Sequence, residues 1–135
     1  MAIAKALFNG ILTDVFKVGN KIDLFSVMPT EGNESGYTKI SGTGYESYEI
    51  QSGDFNVSGG VATSNRNMML YLCDDQSGHG VATGFGVFSG NSLLYYGEFQ
   101  KPMTISYNSV PTIKKYDLRK NEGVRVAVTS TEVAG

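Results

Sequence analysis

Few groups in this chain can give or take a proton near neutral pH, and their spacing constrains them further. His79 is the one histidine, in Asp74-Asp75-Gln76-Ser77-Gly78-His79-Gly80. A Ser-His-Asp relay needs an imidazole oriented by a carboxylate and next to a hydroxyl. The residue types are present, but Ser77 sits in an ordinary turn sequence, without a nucleophile-elbow motif. The expectation is a solvated loop histidine. Cys73 is the one cysteine, so an internal disulfide is excluded, and its apolar run Met68–Cys73 reads as core. One histidine and one cysteine fall short of the four ligands of a structural zinc site. Asp74-Asp75-Gln76 clusters oxygens that calcium would accept, without the spacing of a calcium loop. Carboxylate pairs for glycoside cleavage converge only in space, so the sequence leaves them open. The absence of tryptophan argues against a sugar cleft, although eight tyrosines could serve as platforms. The expectation is no catalytic residue, no cofactor and no metal.

Two further stretches resemble binding devices. Gly84-Phe85-Gly86-Val87-Phe88-Ser89-Gly90 is glycine-rich, but it lacks the lysine and following helix of a phosphate loop. It reads as a strand whose glycines let aromatic rings lie on the backbone. Lys114-Lys115-Tyr116-Asp117-Leu118-Arg119-Lys120 is the basic cluster, where Tyr116 could stack on a base. The simpler reading is a charged edge strand, and the formal net charge of −2 argues against a phosphate-neutralising protein. No nucleic acid is expected as partner. No apolar run approaches a membrane span, and no membrane is expected either.

The elements that would position these groups are mostly strands. Ile3, Leu7, Phe8, Ile11, Leu12 and Val15 recur at helical spacing, predicting an amphipathic helix within 1–18. Its core face is expected at Ile3, Leu7, Phe8 and Ile11, capping the open end of the core; a partner-binding arm is the alternative. Beyond Gly19-Asn20, strands are predicted at Lys21–Met28, Tyr45–Gln51, Phe55–Val57, Met68–Cys73, Val81–Phe88, Leu93–Phe99, Met103–Tyr107, Thr112–Leu118 and Val124–Thr129. Met68–Cys73 reads as a doubly buried central strand. Ser89-Gly90-Asn91-Ser92 marks a hairpin, and Ser58-Gly59-Gly60 another tight turn. In Tyr45–Gln51, Tyr45, Ser47 and Glu49 share one face.

Short strands at close spacing, with no second helix, predict an all-β fold. It is an antiparallel β-sandwich, jelly-roll-like, with one short N-terminal amphipathic helix. A parallel sheet is excluded by the missing crossovers. One domain spans 1–135: helix in 1–18, sandwich over 21–130, tail at 131–135. Composition agrees: 17 glycines among 135 residues, 18% charged and 41% hydrophobic, a turn-rich chain that is neither a helical bundle nor disordered. The N-terminus carries no signal-peptide pattern, and a soluble protein is expected.

Gly84–Ser92 followed by Leu93-Leu94-Tyr95-Tyr96-Gly97-Glu98-Phe99, then Lys101-Pro102-Met103-Thr104-Ile105, resembles a family of small tailed-bacteriophage virion proteins. The upstream order is similar too: Ile3–Val15 as the amphipathic helix, Ile22–Gly36 ending in a polar loop, Ile40-Ser41-Gly42-Thr43-Gly44-Tyr45, and Gly59–Asn65. The C-terminal strand departs from the family pattern, because Asn121-Glu122-Gly123 precedes it and a polar tail follows. The resemblance implies a non-enzymatic knob assembled in the host bacterial cytoplasm and located on the virion. It would be a capsid decoration or head-fibre subunit bound to the major capsid protein or other virion proteins, as a homo-oligomer, a trimer. A tail adaptor or fibre tip that contacts a receptor is the alternative, with a carbohydrate-binding domain behind it. The surface expected to meet the particle comprises Glu31, Asn33 and Glu34 of the polar loop, with Lys114, Lys115, Tyr116, Arg119 and Lys120.

Overall fold

The computed structural model describes residues 4–114, 126–127 and 129–133. Lys5–Val15 form helix α1. Its local signals are weak. Ala4 provides no side-chain cap, and neither end carries a charge that complements the helix dipole. Packing must therefore hold it. At its C-terminal end the Asn20 amide donates to the carbonyls of Asp14 and Val15, at 3.2 and 2.9 Å. Leu12 and Phe16 are buried, with Phe8 and Val15 half-buried beside them. The Phe16 ring lies 4.5 Å from Phe55 and 5.7 Å from Tyr95.

This corrects the expected core face. Leu7 and Ile11 are 58% and 45% exposed, and Ile3 lies outside the described residues. The apolar stripe is wider than the arc the helix can bury. At about 100° per residue, Leu7 and Ile11 stand a quarter turn or more from the line through Leu12.

The main sheet is built on β1 (Lys21–Val27), β7 (Gly80–Ser89) and β8 (Ser92–Ile105), all antiparallel. Two short strands, β2 (Thr38–Lys39) and β3 (Tyr48–Glu49), share the outer edge of β1. The β7–β8 hairpin turns on Gly90-Asn91, with Ser89 opposite Ser92. Gly90 takes φ +59° and Asn91 has no positive φ, the arrangement that admits glycine at the first turn position. The two strands predicted at Leu93–Phe99 and Met103–Tyr107 merge into β8. Residues 99–102 bulge between the pairs Glu98–Gly84 and Met103–Ala82, and Pro102 is accommodated there on the sheet's edge strand.

Among the described residues, two three-stranded sheets accompany the main one. β4 (Phe55–Ser58) and β5 (Val61–Ser64) form a hairpin through Gly59 and Gly60, both at positive φ. β6 (Met68–Met69), β9 (Val110–Lys114) and β11 (Thr129–Val133) are antiparallel in the order β11-β9-β6. β10 (Val126–Ala127) pairs with β5 in parallel. It is a two-residue parallel pair in sheets that are otherwise antiparallel among the described residues, in keeping with the exclusion of a parallel sheet, and the chain between β5 and β10 far exceeds the dozen or so residues a crossover needs. The tail expected at 131–135 is also corrected, since β11 pairs with β9 as far as Val133.

Met68–Cys73 is not a doubly buried strand. Met68, Leu70 and Cys73 are buried, while Met69, Tyr71 and Leu72 are 63%, 61% and 45% exposed. The Leu70 amide donates to Pro111, but the next such bond is from Cys73 to Ser109, so Tyr71 and Leu72 bulge together.

Buried side chains from α1 and all three sheets meet in one cluster, including Leu12, Leu24, Ala62, Phe85, Ile105 and Ile113. The glycines of β7 serve the opposite face of the main sheet, as the sequence suggested. A Cβ on Gly86 would overlap the Phe25 ring, and one on Gly84 would overlap Met28 and the Gly97 carbonyl. Phe25, Tyr37 and Phe88 stack over that floor, with centroids 4.8–6.0 Å apart.

Candidate functional site

β1 changes edge partner in mid-strand. β2 pairs at Phe25 and Val27, β3 at Lys21 and Ile22, and between them the chain bows outward. The Tyr45 hydroxyl fills the gap. It accepts the Leu24 N–H at 2.9 Å and lies 3.3 Å from Asp23 Oδ1, to which it donates. Asp23 is buried and also accepts from Ser47 Oγ at 2.6 Å. Its second oxygen lies 3.2 Å from Lys39 Nζ, whose ammonium is also 4.2 Å above the Phe88 ring. Burial, reinforced by the charge of Asp23, raises the Tyr45 phenol well above the usual tyrosine range. Tyr45 and Ser47 thus share a target, although the strand predicted over Tyr45–Gln51 is confined to Tyr48–Glu49 and neither residue belongs to it.

A second buried carboxylate fastens the other end of this segment. Asp54 is fully buried and accepts from Tyr48 Oη at 2.7 Å and the Gln51 N–H at 2.8 Å. Arg66 Nε stands 3.1 Å from its other oxygen, a charge contact outside hydrogen-bond geometry. Burial and the bond to Asp54 push Tyr48 up to about 12.

Residues 45–51, tied down at both ends, form one wall of a cleft of about 630 Å³. Glu46, Ser47, Tyr48, Glu49 and Gln51 line that wall, with Lys21 beside them. Met69, Leu70, Tyr71 and Leu72 line the other. Glu46, Glu49 and Lys21 are exposed, so the cleft has two carboxylates and one ammonium at an apolar wall. Nothing in it is arranged as a nucleophile with a base. It can bind through apolar area, charge and backbone groups.

Sequence reasoning missed this cleft because the hydrophobicity of Met69, Tyr71 and Leu72 reads as burial. The available signal was the approach of Pro111 and Ser109, which no local pattern reveals. The residues expected at an interface lie elsewhere. Glu31, Asn33 and Glu34 are exposed on two successive turns, one closed by backbone bonds between Thr30 and Asn33 and the next by the Gly36 N–H donating to the Asn33 carbonyl, and none lines the cleft. Lys114 ends β9, and Lys115, Tyr116, Arg119 and Lys120 lie outside the described residues.

His79 is not solvated; it is buried, correcting the expectation. Its Nε2 lies 3.0 Å from the Thr43 carbonyl, so that nitrogen is assigned the proton. The ring stands edge-on to Tyr45 at 6.0 Å and covers Gly42 so closely that a Cβ there would overlap it. Asp75 spends its carboxylate on the Ser77 N–H at 2.9 Å. Cys73 is buried, as expected of a small core residue. Among the described residues no three His, Cys, Asp or Glu side chains are grouped to hold a metal ion. No family model, curated protein or solved structure matches the chain.

Proposed function

We propose that the chain is a non-enzymatic structural subunit of a tailed-bacteriophage particle, a capsid decoration or head-fibre protein that binds the particle surface by shape and charge. The observation that carries this reading is the use of the glycine-aromatic hairpin. Gly84, Gly86 and Gly97 sit under Met28, Phe25 and Phe85, so the motif behind the resemblance is a packing device. The polar groups that might have served chemistry are engaged in the same way. Asp23, Asp54 and His79 each fasten a loop to the sheet framework. A rigid knob with shaped loops suits assembly rather than turnover.

The test is quantitative mass spectrometry of purified particles from the source of this chain, with heads and tails separated. Many copies fractionating with heads support decoration. A few copies with tails move the protein to an adaptor or tip. Absence from particles sinks the reading.

A further inference from the structure

The two walls of the cleft are strand edges, and the backbone pairing of each lies on its far side. On the first wall Ile50 donates to Asn20 at 2.9 Å, and β3 pairs Glu49 with Lys21 and Tyr48 with Ile22. In an antiparallel ladder bonded residues alternate with residues whose N–H and C=O point the other way. Glu49 therefore turns its backbone groups away from β1. On the second wall Leu70 donates to Pro111 at 2.8 Å, so Met69, between that bond and the Met68–Ile113 pair, turns its groups away from β9, and Tyr71 follows in the bulge. One sheet ends at β3 and another at β6, with the cleft between them.

We propose that this cleft takes an extended segment of a partner protein as an added strand between β3 and β6, and that the segment alternates lysine or arginine with aliphatic residues. The main-chain groups of Glu49 and Met69 supply the ladder, the usual source of affinity in strand addition. On the cleft side the Gln51 amide lies 3.1 Å from the Glu49 carbonyl, a bond that an incoming N–H replaces. Met69 and Tyr71, exposed at alternate positions, give the guest's aliphatic residues an apolar rail. Glu46 and Glu49 outnumber Lys21, so the excess charge at the mouth is negative and selects a basic guest. The volume of about 630 Å³ falls within the range of ligand clefts. This inference goes beyond the virion reading: it holds wherever the partner resides.

The experiment uses the full chain and a fluorescein-labelled hexapeptide of alternating lysine and valine, followed by fluorescence anisotropy. Saturable binding is expected. N-methylation of alternate peptide nitrogens is expected to weaken it at least about tenfold, because it blocks the ladder without altering charge. The Glu46→Lys/Glu49→Lys variant should lose a similar factor and gain affinity for the glutamate-valine peptide. Met69→Pro removes an N–H that points away from β9 and should also weaken binding. The N-methylated peptide keeps the test decisive if that variant misfolds. No saturable binding, or binding indifferent to both N-methylation and charge reversal, overturns the proposal. Sedimentation of the peptide-free protein supplies the last outcome. Self-association that the charge-reversal variant abolishes would make a second copy the occupant and refute a separate partner.

Discussion

Replacing Gly86 by alanine adds one methyl group to the middle of β7, at a position where the backbone φ is not left-handed. Any cost is therefore packing cost. The new Cβ would lie 2.7 Å from Phe25 Cε2, closer still to Cζ, and 3.0 Å from Leu93 Cδ1. Carbon atoms settle at about 3.5–4.0 Å, so the ring must retreat by roughly 1 Å. It has nowhere to go. Phe25 is fully buried, with Tyr37 at 4.8 Å and Phe88 at 6.0 Å. Overpacking of this kind costs about 1–3 kcal/mol. At a urea m-value near 2 kcal/mol/M, a loss of about 2 kcal/mol lowers the midpoint by about 1 M. Phe25→Leu supplies the control, because a smaller side chain leaves room for the methyl. The double variant should be less destabilised than the sum of the singles by about 1 kcal/mol. An unchanged midpoint for Gly86→Ala, or strict additivity, would refute the claim that the glycine exists to seat that ring.

Gly10→Ala should have the opposite sign. Gly10 lies inside α1 with nothing within 4 Å of its Cβ position, so alanine should stabilise by up to about 1 kcal/mol in the same assay. Leu12→Ala should cost about 2–5 kcal/mol, whereas exposed Leu7→Ala should cost under about 0.5 kcal/mol; equal losses would restore the face expected from sequence. Asp54→Ala strands the Gln51 N–H and the Tyr48 hydroxyl and should cost at least about 2 kcal/mol by urea unfolding. Tyr48 makes the molecule sensitive to alkali. Its folded pKa of about 12 exceeds the free value of 10.0, so its contribution is complete below pH 10 and is lost as pH rises towards 12. Tyr48→Phe should therefore lose less stability than wild type across that window, and parallel curves would contradict the assignment.

Local chemistry wrote the hairpins into the sequence. Gly90-Asn91 and Gly59-Gly60 are turns because glycine tolerates positive φ, and both form where expected. The floor role of Gly84 and Gly86 was legible for the same reason, since glycines alternating with Phe85 and Val87 leave bare backbone on one face. The helix face was harder. Leu7, Ile11 and Leu12 are equally apolar, and only Phe55 and Tyr95, remote in sequence, decide which side is covered. Burial of His79 depends likewise on Gly42 and Thr43, more than thirty residues upstream. The cleft was least legible. It is built from two short edges belonging to different sheets, and an edge becomes an edge only once its neighbours are known.

The wall formed by residues 45–51 shows why the buried carboxylates matter more to the site than its strand does. Roughly a dozen residues, 40–51, run between β2 and the Asp54 turn, and ordering them works against the fold. The two-residue β3 offers few ladder bonds to offset that. Ile40 and Ile50 are buried, and the half-buried tyrosines add their packing and their bonds. Tyr45 and Ser47 are bonded to Asp23, and Tyr48 and Gln51 to Asp54. Each carboxylate gathers donors from positions the ladder cannot reach, so the wall follows the two acids more closely than it follows β1. That leaves the opposite edge of β3 holding the Gln51 amide at the Glu49 carbonyl. It stands open to the cleft, while the exposed Glu46 and Glu49 set its charge.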